Sequence, residues 1–293
     1  MPDYFAPFKE IVRTNVPMAM HTWLQLGGQA EYFAEPRTEE EFLALLKACR
    51  QNNVPVHILG LGSSVLVSDD GVPGMVIRLT APEFCGIEIR DDRLITGGGA
   101  KLGRAITSAV YAGLAGLEAF IGIPSTVGGA VHGNITSADG DIGQWVETVR
   151  AATFDGEILT LDRENIAFGY RSSSLENQVI LSCAFRLEKD NVGELARRLQ
   201  KNWIVRKKTE PIGYSGAGWL FKDPIGQSAS ALIEDAGLKG TRIGGAVVCD
   251  RNANFILAEA ECSSSDVKRL ASLIQTQVRE RAGVRLELDI DVW

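Results

Sequence analysis

Between two apolar stretches the chain runs Gly122-Ile-Pro-Ser-Thr-Val-Gly-Gly-Ala-Val-His-Gly-Asn134, a segment with four glycines and a proline. The missing Cβ atoms at Gly122, Gly128, Gly129 and Gly133 permit positive φ and close approach of backbone to a ligand. Consecutive amides can then converge on an anion. Pro124 stiffens the turn, and the Ser125 and Thr126 hydroxyls can bond phosphate oxygens or the ends of neighbouring elements. A glycine-rich crossover between packed elements would use the same residues. Taken alone, this loop does not separate the two readings.

A second cluster, Val56-His-Ile-Leu-Gly-Leu-Gly-Ser-Ser-Val-Leu-Val67, places Gly60, Gly62, Ser63 and Ser64 between two β-rich apolar runs. It contains no G-x-G-x-x-G, and Val65-Leu-Val67 continues as strand instead of opening a helix, so a Rossmann fingerprint is excluded. A Walker loop is absent too. The expectation is a strand-turn-strand hairpin whose tip exposes backbone donors suited to a pyrophosphate.

At 293 residues the chain has room for two or three modest domains. Its 37 acidic and 30 basic side chains leave a formal charge of −7, which argues against broad electrostatic binding to nucleic acid or an anionic membrane. An anionic ligand must be held by local dipoles and a few selected cations. Five cysteines (Cys49, Cys85, Cys183, Cys249 and Cys262) are scattered without C-x-x-C spacing, which suits a reducing cytosol. The three histidines are dispersed, so no metal site is expected. The start, Met1-Pro-Asp-Tyr-Phe-Ala-Pro-Phe8, lacks signal-peptide character, and a cytoplasmic protein is expected.

The element pattern is α+β. Thr38 with Glu41 forms a capping-box pattern ahead of a helix whose face is Phe42, Leu45, Leu46 and Cys49. Short strands are predicted at 85–90 and 93–96, a helix at 102–112, and strands at 146–154, 158–161 and 179–187. Further helices are predicted at about 191–206, at 228–236 closed by Gly237, and from Ser263 or Ser264 to about 282. Strands are predicted near 246–249 and 255–259, with a last one at 285–292.

Several motifs in this order resemble the MurB family of UDP-N-acetylenolpyruvoylglucosamine reductases. They are Gly60-Leu-Gly-Ser-Ser64, Gly122-Ile-Pro-Ser-Thr-Val-Gly-Gly-Ala130, Gly169-Tyr-Arg-Ser-Ser173, Ala217-Gly-Trp-Leu-Phe-Lys-Asp-Pro224, Gly237-Leu-Lys-Gly240 and Asn254-Phe255. The resemblance implies a two-subdomain FAD-binding fold of the vanillyl-alcohol-oxidase type plus a C-terminal α+β substrate domain. It implies FAD-binding subdomains at 1–80 and 81–190, a substrate-binding domain at 191–284, and a strand at 285–293 returning to the FAD-binding part. FAD is the implied cofactor, NADPH the hydride donor, and a nucleotide-sugar the partner, acted on by a monomer with no nucleic acid or membrane partner. The resemblance also implies that hydride goes to C3 of the enolpyruvyl group and a proton to C2.

By the same resemblance, Gly60, Gly62, Ser63, Ser64, Gly122, Ile123, Pro124, Ser125, Thr126, Gly128, Gly129, Ala130 and Asn134 contact the cofactor. Arg171 matches the family arginine that steadies the enolate-like intermediate, and Tyr170, Lys222 and Asp223 lie on the substrate side. Two catalytic positions depart from the pattern: Trp219 stands where the family has serine or cysteine as proton donor, and Asp289 where it has glutamate. Asp223 replaces an asparagine, a poor exchange if the side chain must face phosphate. Ser64, Ser125, Gln25 and Asn252 replace asparagine, glycine, arginine and histidine, and Ile135–Asp139 also departs. With Trp219 unable to act as an acid, Ser215, Asp289 or an ordered water are the substitute proton sources. A re-purposed flavoprotein, or a non-catalytic flavin or nucleotide-sugar binding protein, stands as the alternative.

Overall fold

A computed structural model describes residues 2–137 and 139–293. The reading of the start at Met1 and the departure noted at Ala138 fall outside the described residues. The chain groups into two compact units. The first holds 1–14, 32–60 and 73–205, and the second holds 15–31, 61–72 and 206–293.

The early strands are β1 (Val12–Pro17), β2 (Gln29–Ala34), β3 (Val56–Ile58), β4 (Val65–Leu66) and β5 (Val72–Ile77). Four of them form a sheet in the order β1-β2-β5-β3. Helix α1 (Glu39–Gln51) starts as its sequence predicts, with the Thr38 side chain accepting from the Glu41 amide at 3.2 Å. The return arm of the box shifts by one residue, because the Glu41 carboxylate accepts from the Arg37 amide. Its inward face is the predicted one: Phe42, Leu45, Leu46 and Cys49 are all buried, in a core with Phe5, Tyr32, Met75 and Ile77.

The hairpin expected around Gly60 does not form. Strand β3 pairs in parallel with β5, whereas β4 pairs in parallel with a strand from the far end of the chain. The apolar runs flanking the turn are alike in pattern, but a run cannot show which partner it will meet.

The other half of the first unit is an antiparallel sheet. Its strands are β6 (Ile87–Arg90), β7 (Arg93–Gly97), β8 (Val146–Thr153) and β9 (Ile158–Asp162), with a small hairpin β10 (Phe168–Gly169) and β11 (Ser172–Ser173) before β12 (Gln178–Arg186). The five long strands lie in the order β9-β8-β12-β7-β6. Helices α2 (Leu102–Tyr111) and α3 (Val127–His132) share a second core with this half, through Ala105, Ile106, Val127 and Val131 against Leu94, Val149 and Phe185. The two halves are tied by Arg150 on β8, whose guanidinium donates two bonds to Glu39 on α1 at 2.5 and 2.6 Å.

Helix α4 (Val192–Thr209) leads into the second unit. There β13 (Ala217–Trp219), β14 (Arg242–Ile243), β15 (Ala246–Val248) and β16 (Phe255–Ala258) form an antiparallel sheet in the order β13-β16-β15-β14. Helix α5 (Ala229–Asp235) and helix α6 (Ser264–Ala282) cover it, the latter burying Val267, Leu270, Ala271, Ile274 and Val278 at helical spacing. Ser263 is the N-cap of α6 and completes a capping box with Asp266. Ser264, the alternative cap, exchanges hydrogen bonds with Asp69 instead.

The long final strand predicted at 285–292 breaks into two pairings. Phe221 bridges Leu288, and then β17 (Asp291–Val292) joins β4. Among the described residues, no helix is long and apolar enough to cross a membrane.

Candidate active site

The loop from Gly122 to Asn134 is anchored by a neighbour that its own sequence does not announce. Residues 98–102 run antiparallel beside Ser125–Gly128. Gly128 donates to the Gly98 carbonyl at 2.7 Å, Val127 to Ala100 at 2.8 Å, and Leu102 to Ser125 at 3.0 Å. The Gly97–Gly99 run, which the sequence presents only as a lead into α2, is therefore a wall of the site. A Cβ on Gly98 would sit 2.0 Å from the Ile180 carbonyl oxygen, and one on Gly99 would sit 1.8 Å from that of Leu79. Nothing larger than glycine fits between these strands.

This packing corrects the expectation that the whole glycine loop converges on an anion. Thr126 is the N-cap of α3 and accepts from the Gly129 amide at 3.1 Å. The amides of Val127, Gly128, Gly129 and Ala130 are thus consumed by the protein. Gly128 and Gly129 serve close approach rather than ligand donation. Among the described residues of the loop, the amides of Gly122, Ser125 and Thr126 donate to no protein acceptor. Ile123 donates to Phe120, Pro124 has no N–H, and the Ser125 hydroxyl donates to the Thr126 carbonyl. The packing reading thus describes the second half of the loop, while the first half keeps three amides that donate to no protein acceptor among the described residues.

Gly60 comes up against Thr126. A Cβ on Gly60 would lie 2.9 Å from Thr126 Oγ1, so the absent side chain is what lets the turn reach the cap of α3. In the turn itself, the amides of Gly60, Leu61, Gly62, Ser63 and Ser64 donate to no protein acceptor among the described residues. Its carbonyls are the tethered side: Gly62 accepts from Trp23 and Ser64 from Asp291. Gly62 needs its positive φ of 69°, and a Cβ there would strike the His21 carbonyl at 2.2 Å.

Asn134 is the clearest change of role. It is 1% exposed, and its side chain donates to the Gly169 carbonyl at 2.7 Å while accepting from the Gly143 amide at 3.0 Å. Its amide group thus bridges two protein backbone positions, one through a donor and one through its oxygen. The carbonyl it grips belongs to the β10–β11 hairpin, whose tip is Tyr170–Arg171. Tyr170 is exposed, and Arg171 sits at φ 52°. A left-handed arginine costs on the order of 1–2 kcal/mol, which the surrounding contacts must offset.

In the second unit, β13 carries Trp219 opposite Phe255 on β16, the rings edge-on with centroids 5.2 Å apart. The indole Nε1 is buried and has no hydrogen-bond acceptor, a cost of about 1–3 kcal/mol. Gly218 beside it abuts Leu24. The segment after Trp219 is clamped by Asn254, which the sequence singled out only as part of a motif. Its buried side chain donates to the Phe221 carbonyl at 2.7 Å and accepts from the Phe221 amide at 3.0 Å. The clamped segment then pairs with the chain end: Lys222 donates to Glu287 at 2.9 Å and Asp289 to Leu220 at 2.8 Å. Trp219, Lys222 and Asp289 are thus brought onto adjoining backbone. Asp223 Oδ1 accepts from the Ala229 amide at 2.7 Å, at the start of α5. The exchange for asparagine is harmless at this atom, because either residue offers the same acceptor.

Other candidates recede. Cys249 is buried as a small apolar residue, and the His132 side chain is exposed, only its carbonyl entering the site. Ser215 is exposed on the turn before β13.

The comparisons agree with this layout. A model of the FAD binding domain matches residues 30–162, and a model of the C-terminal domain of UDP-N-acetylenolpyruvoylglucosamine reductase matches 210–293. A reductase of that name from Rhodopirellula baltica is 36% identical over 97% of this chain and 93% of its own length. The crystal structure of UDP-N-acetylenolpyruvylglucosamine reductase (MurB) from Thermus caldophilus superposes with a TM-score of 0.82, at 33% identity over 96% of this chain and 99% of that one. A solvent-stable cholesterol oxidase, 16% identical over 64% of this chain and 40% of its own, shares the fold at a TM-score of 0.50. With a FAD binding domain match followed by a match to the family's own C-terminal domain, and relatives of this name alike over nearly the whole length, this chain belongs to the UDP-N-acetylenolpyruvoylglucosamine reductase family.

Proposed function

We propose that this chain reduces UDP-N-acetylglucosamine enolpyruvate to UDP-N-acetylmuramate in peptidoglycan synthesis, using FAD and NADPH. The observation that carries the reading is the close approach of Gly60 to Thr126, within a chain that matches the family along its length. The amides of Gly60, Gly122, Ser125 and Thr126 suit the diphosphate of a dinucleotide. Ile123 and Pro124 shape the approach, while Gly128, Gly129 and Ala130 carry it as the first turns of α3. With a net charge of −7, the chain has no general positive field for anions, so these backbone dipoles are its means of holding one. Bound there, FAD supplies a two-electron carrier between NADPH and the enolpyruvyl group.

The side chains do the rest. Arg171 offers a permanent planar cation to the substrate carboxylate and to the negative charge that develops beside it. Lys222 pairs with the substrate diphosphate, and Tyr170 borders the substrate. Trp219 shapes the enolpyruvyl position without supplying a proton, since an indole N–H is not an acid at any working pH. The proton for C2 falls to Asp289, whose backbone is bonded beside Trp219–Leu220. The reading includes a monomer in the cytoplasm, consistent with scattered, unpaired cysteines.

The test is NADPH oxidation by FAD-loaded protein with and without UDP-N-acetylglucosamine enolpyruvate. Loss of NADPH absorbance only when the enolpyruvate is present supports the reading. NADPH loss independent of that substrate, or none at all, sinks it.

A further inference from the structure

The structure assigns Asn134 and Ser173 as positioning residues that hold Arg171 at a set distance from the glycine cradle, an inference that rests on the role proposed for Arg171. The hairpin bearing Arg171 is short: Phe168↔Ser173 and Gly169↔Ser172 pair its strands, and at its base the Ser174 amide donates to the Ala167 carbonyl and the Ala167 amide to the Ser174 hydroxyl. Its tip also places an arginine at φ 52°, a conformation that external contacts must impose. Two of the contacts that reach it from outside come from the C-terminal end of α3. Asn134 donates to Gly169 on the first hairpin strand at 2.7 Å, and the Ser173 hydroxyl on the second donates to the His132 carbonyl at 2.6 Å.

The other end of α3 is Thr126, which abuts Gly60. A six-residue helix rises about 9 Å, so α3 acts as a spacer between the cradle and the arginine. A further set of contacts keeps the clamp in register. Asn134 Oδ1 accepts from Gly143, the Gly143 carbonyl accepts from Arg163, and the Arg163 guanidinium lies 4.8 Å from the centroid of the Phe168 ring on the hairpin. Asn134 itself has φ 43°, a backbone that asparagine tolerates better than most residues. Every one of these contacts lies inside the first unit.

Two variants separate positioning from simple stability. N134D retains the acceptor for Gly143 and sets a carboxylate oxygen against the Gly169 carbonyl, while S173A removes the donor to His132. Amide hydrogen exchange of 168–173 in the FAD-loaded protein is expected to quicken by about tenfold in each, a local opening without global unfolding. Turnover is expected to fall on the order of tenfold to a hundredfold in kcat, as for a misplaced catalytic group, with FAD content and the KM for NADPH unchanged. In an R171A background the same variants should cost nothing more, because their effect runs through the arginine.

Unchanged exchange at 168–173 in S173A overturns the inference, and so do losses that multiply with R171A. Should N134D fail to fold, S173A decides the matter by itself. If the wild-type protein shows no substrate-dependent turnover, the reductase reading fails separately, and the exchange measurement alone decides this one.

Discussion

The glycine-rich backbone segments and the Trp219 strand carry their chemistry in different ways. At Gly60–Ser64 and Gly122–Thr126 the donors are backbone amides, and the residues matter for what they leave out. Around Trp219 the backbone is held just as firmly, by Asn254 on Phe221 and by Leu220 and Lys222 pairing with the chain end. Yet there the chemistry depends on which side chain the strand presents. A backbone site keeps its donors when side chains change, and it resists substitution where a Cβ would clash, as at Gly62 and Gly99. A side-chain site can change its chemistry by one residue while its ladder stays intact, and Trp219 and Asp289 show such changes.

The sharpest way to break this contrast is Gly99→Ala. Its Cβ would lie 1.8 Å from a carbonyl oxygen fixed in the core, so a loss above ~4 kcal/mol is expected, read as insoluble expression or a collapsed melting temperature. A well-folded Gly99→Ala protein would show that the wall is softer than its geometry. Next, Trp219→Ser restores a hydroxyl donor at that position. It should leave the fold intact and raise substrate-dependent turnover by roughly a hundredfold, the scale of one general acid. Turnover at the wild-type level would mean that the missing acid is not what limits this enzyme.

Thr126→Ala removes the cap of α3 at a cost of about 1 kcal/mol in thermal stability. It should weaken FAD binding in a flavin titration more than it weakens the fold, and an unchanged FAD affinity would detach Thr126 from the cradle.

The smallest effect concerns the Arg150–Glu39 pair. Hydrogen bonding from Arg150 holds the Glu39 carboxyl below the ordinary glutamate range, outweighing the rise that burial brings. The stabilisation is present in full above the ordinary glutamate value of 4.5 and fades as pH falls through the lowered folded value. Glu39→Gln should therefore cost less than about 1 kcal/mol at neutral pH, since the pair is partly exposed. In acid denaturation its difference from wild type should shrink below pH 4.5.

Much of the fold was legible because its signals are local. The cap at Thr38, the Phe42-Leu45-Leu46-Cys49 face and the start of α6 at Ser263 or Ser264 each depend on residues within one helix and its cap. The hairpin at Gly60 was misread because β4 finds its partner more than two hundred residues away in β17, and alternation carries no address. The site divided along the same line. The glycines announced a close approach, but only the fold shows that Gly128 and Gly129 spend theirs on Gly98 and Thr126, and that Gly60 spends its own on the Thr126 side chain.

Asn134 is the plainest case. By itself the sequence determined that a small, flexible backbone surrounds a polar residue after α3, that an anionic ligand would have to be met by local dipoles under a net negative charge, and that position 219 holds a tryptophan. The tertiary structure alone decided where those dipoles point and what Asn134 holds. A hydrogen bond needs a partner within about 3 Å, and for Asn134 that partner is Gly169, thirty-five residues further along the chain.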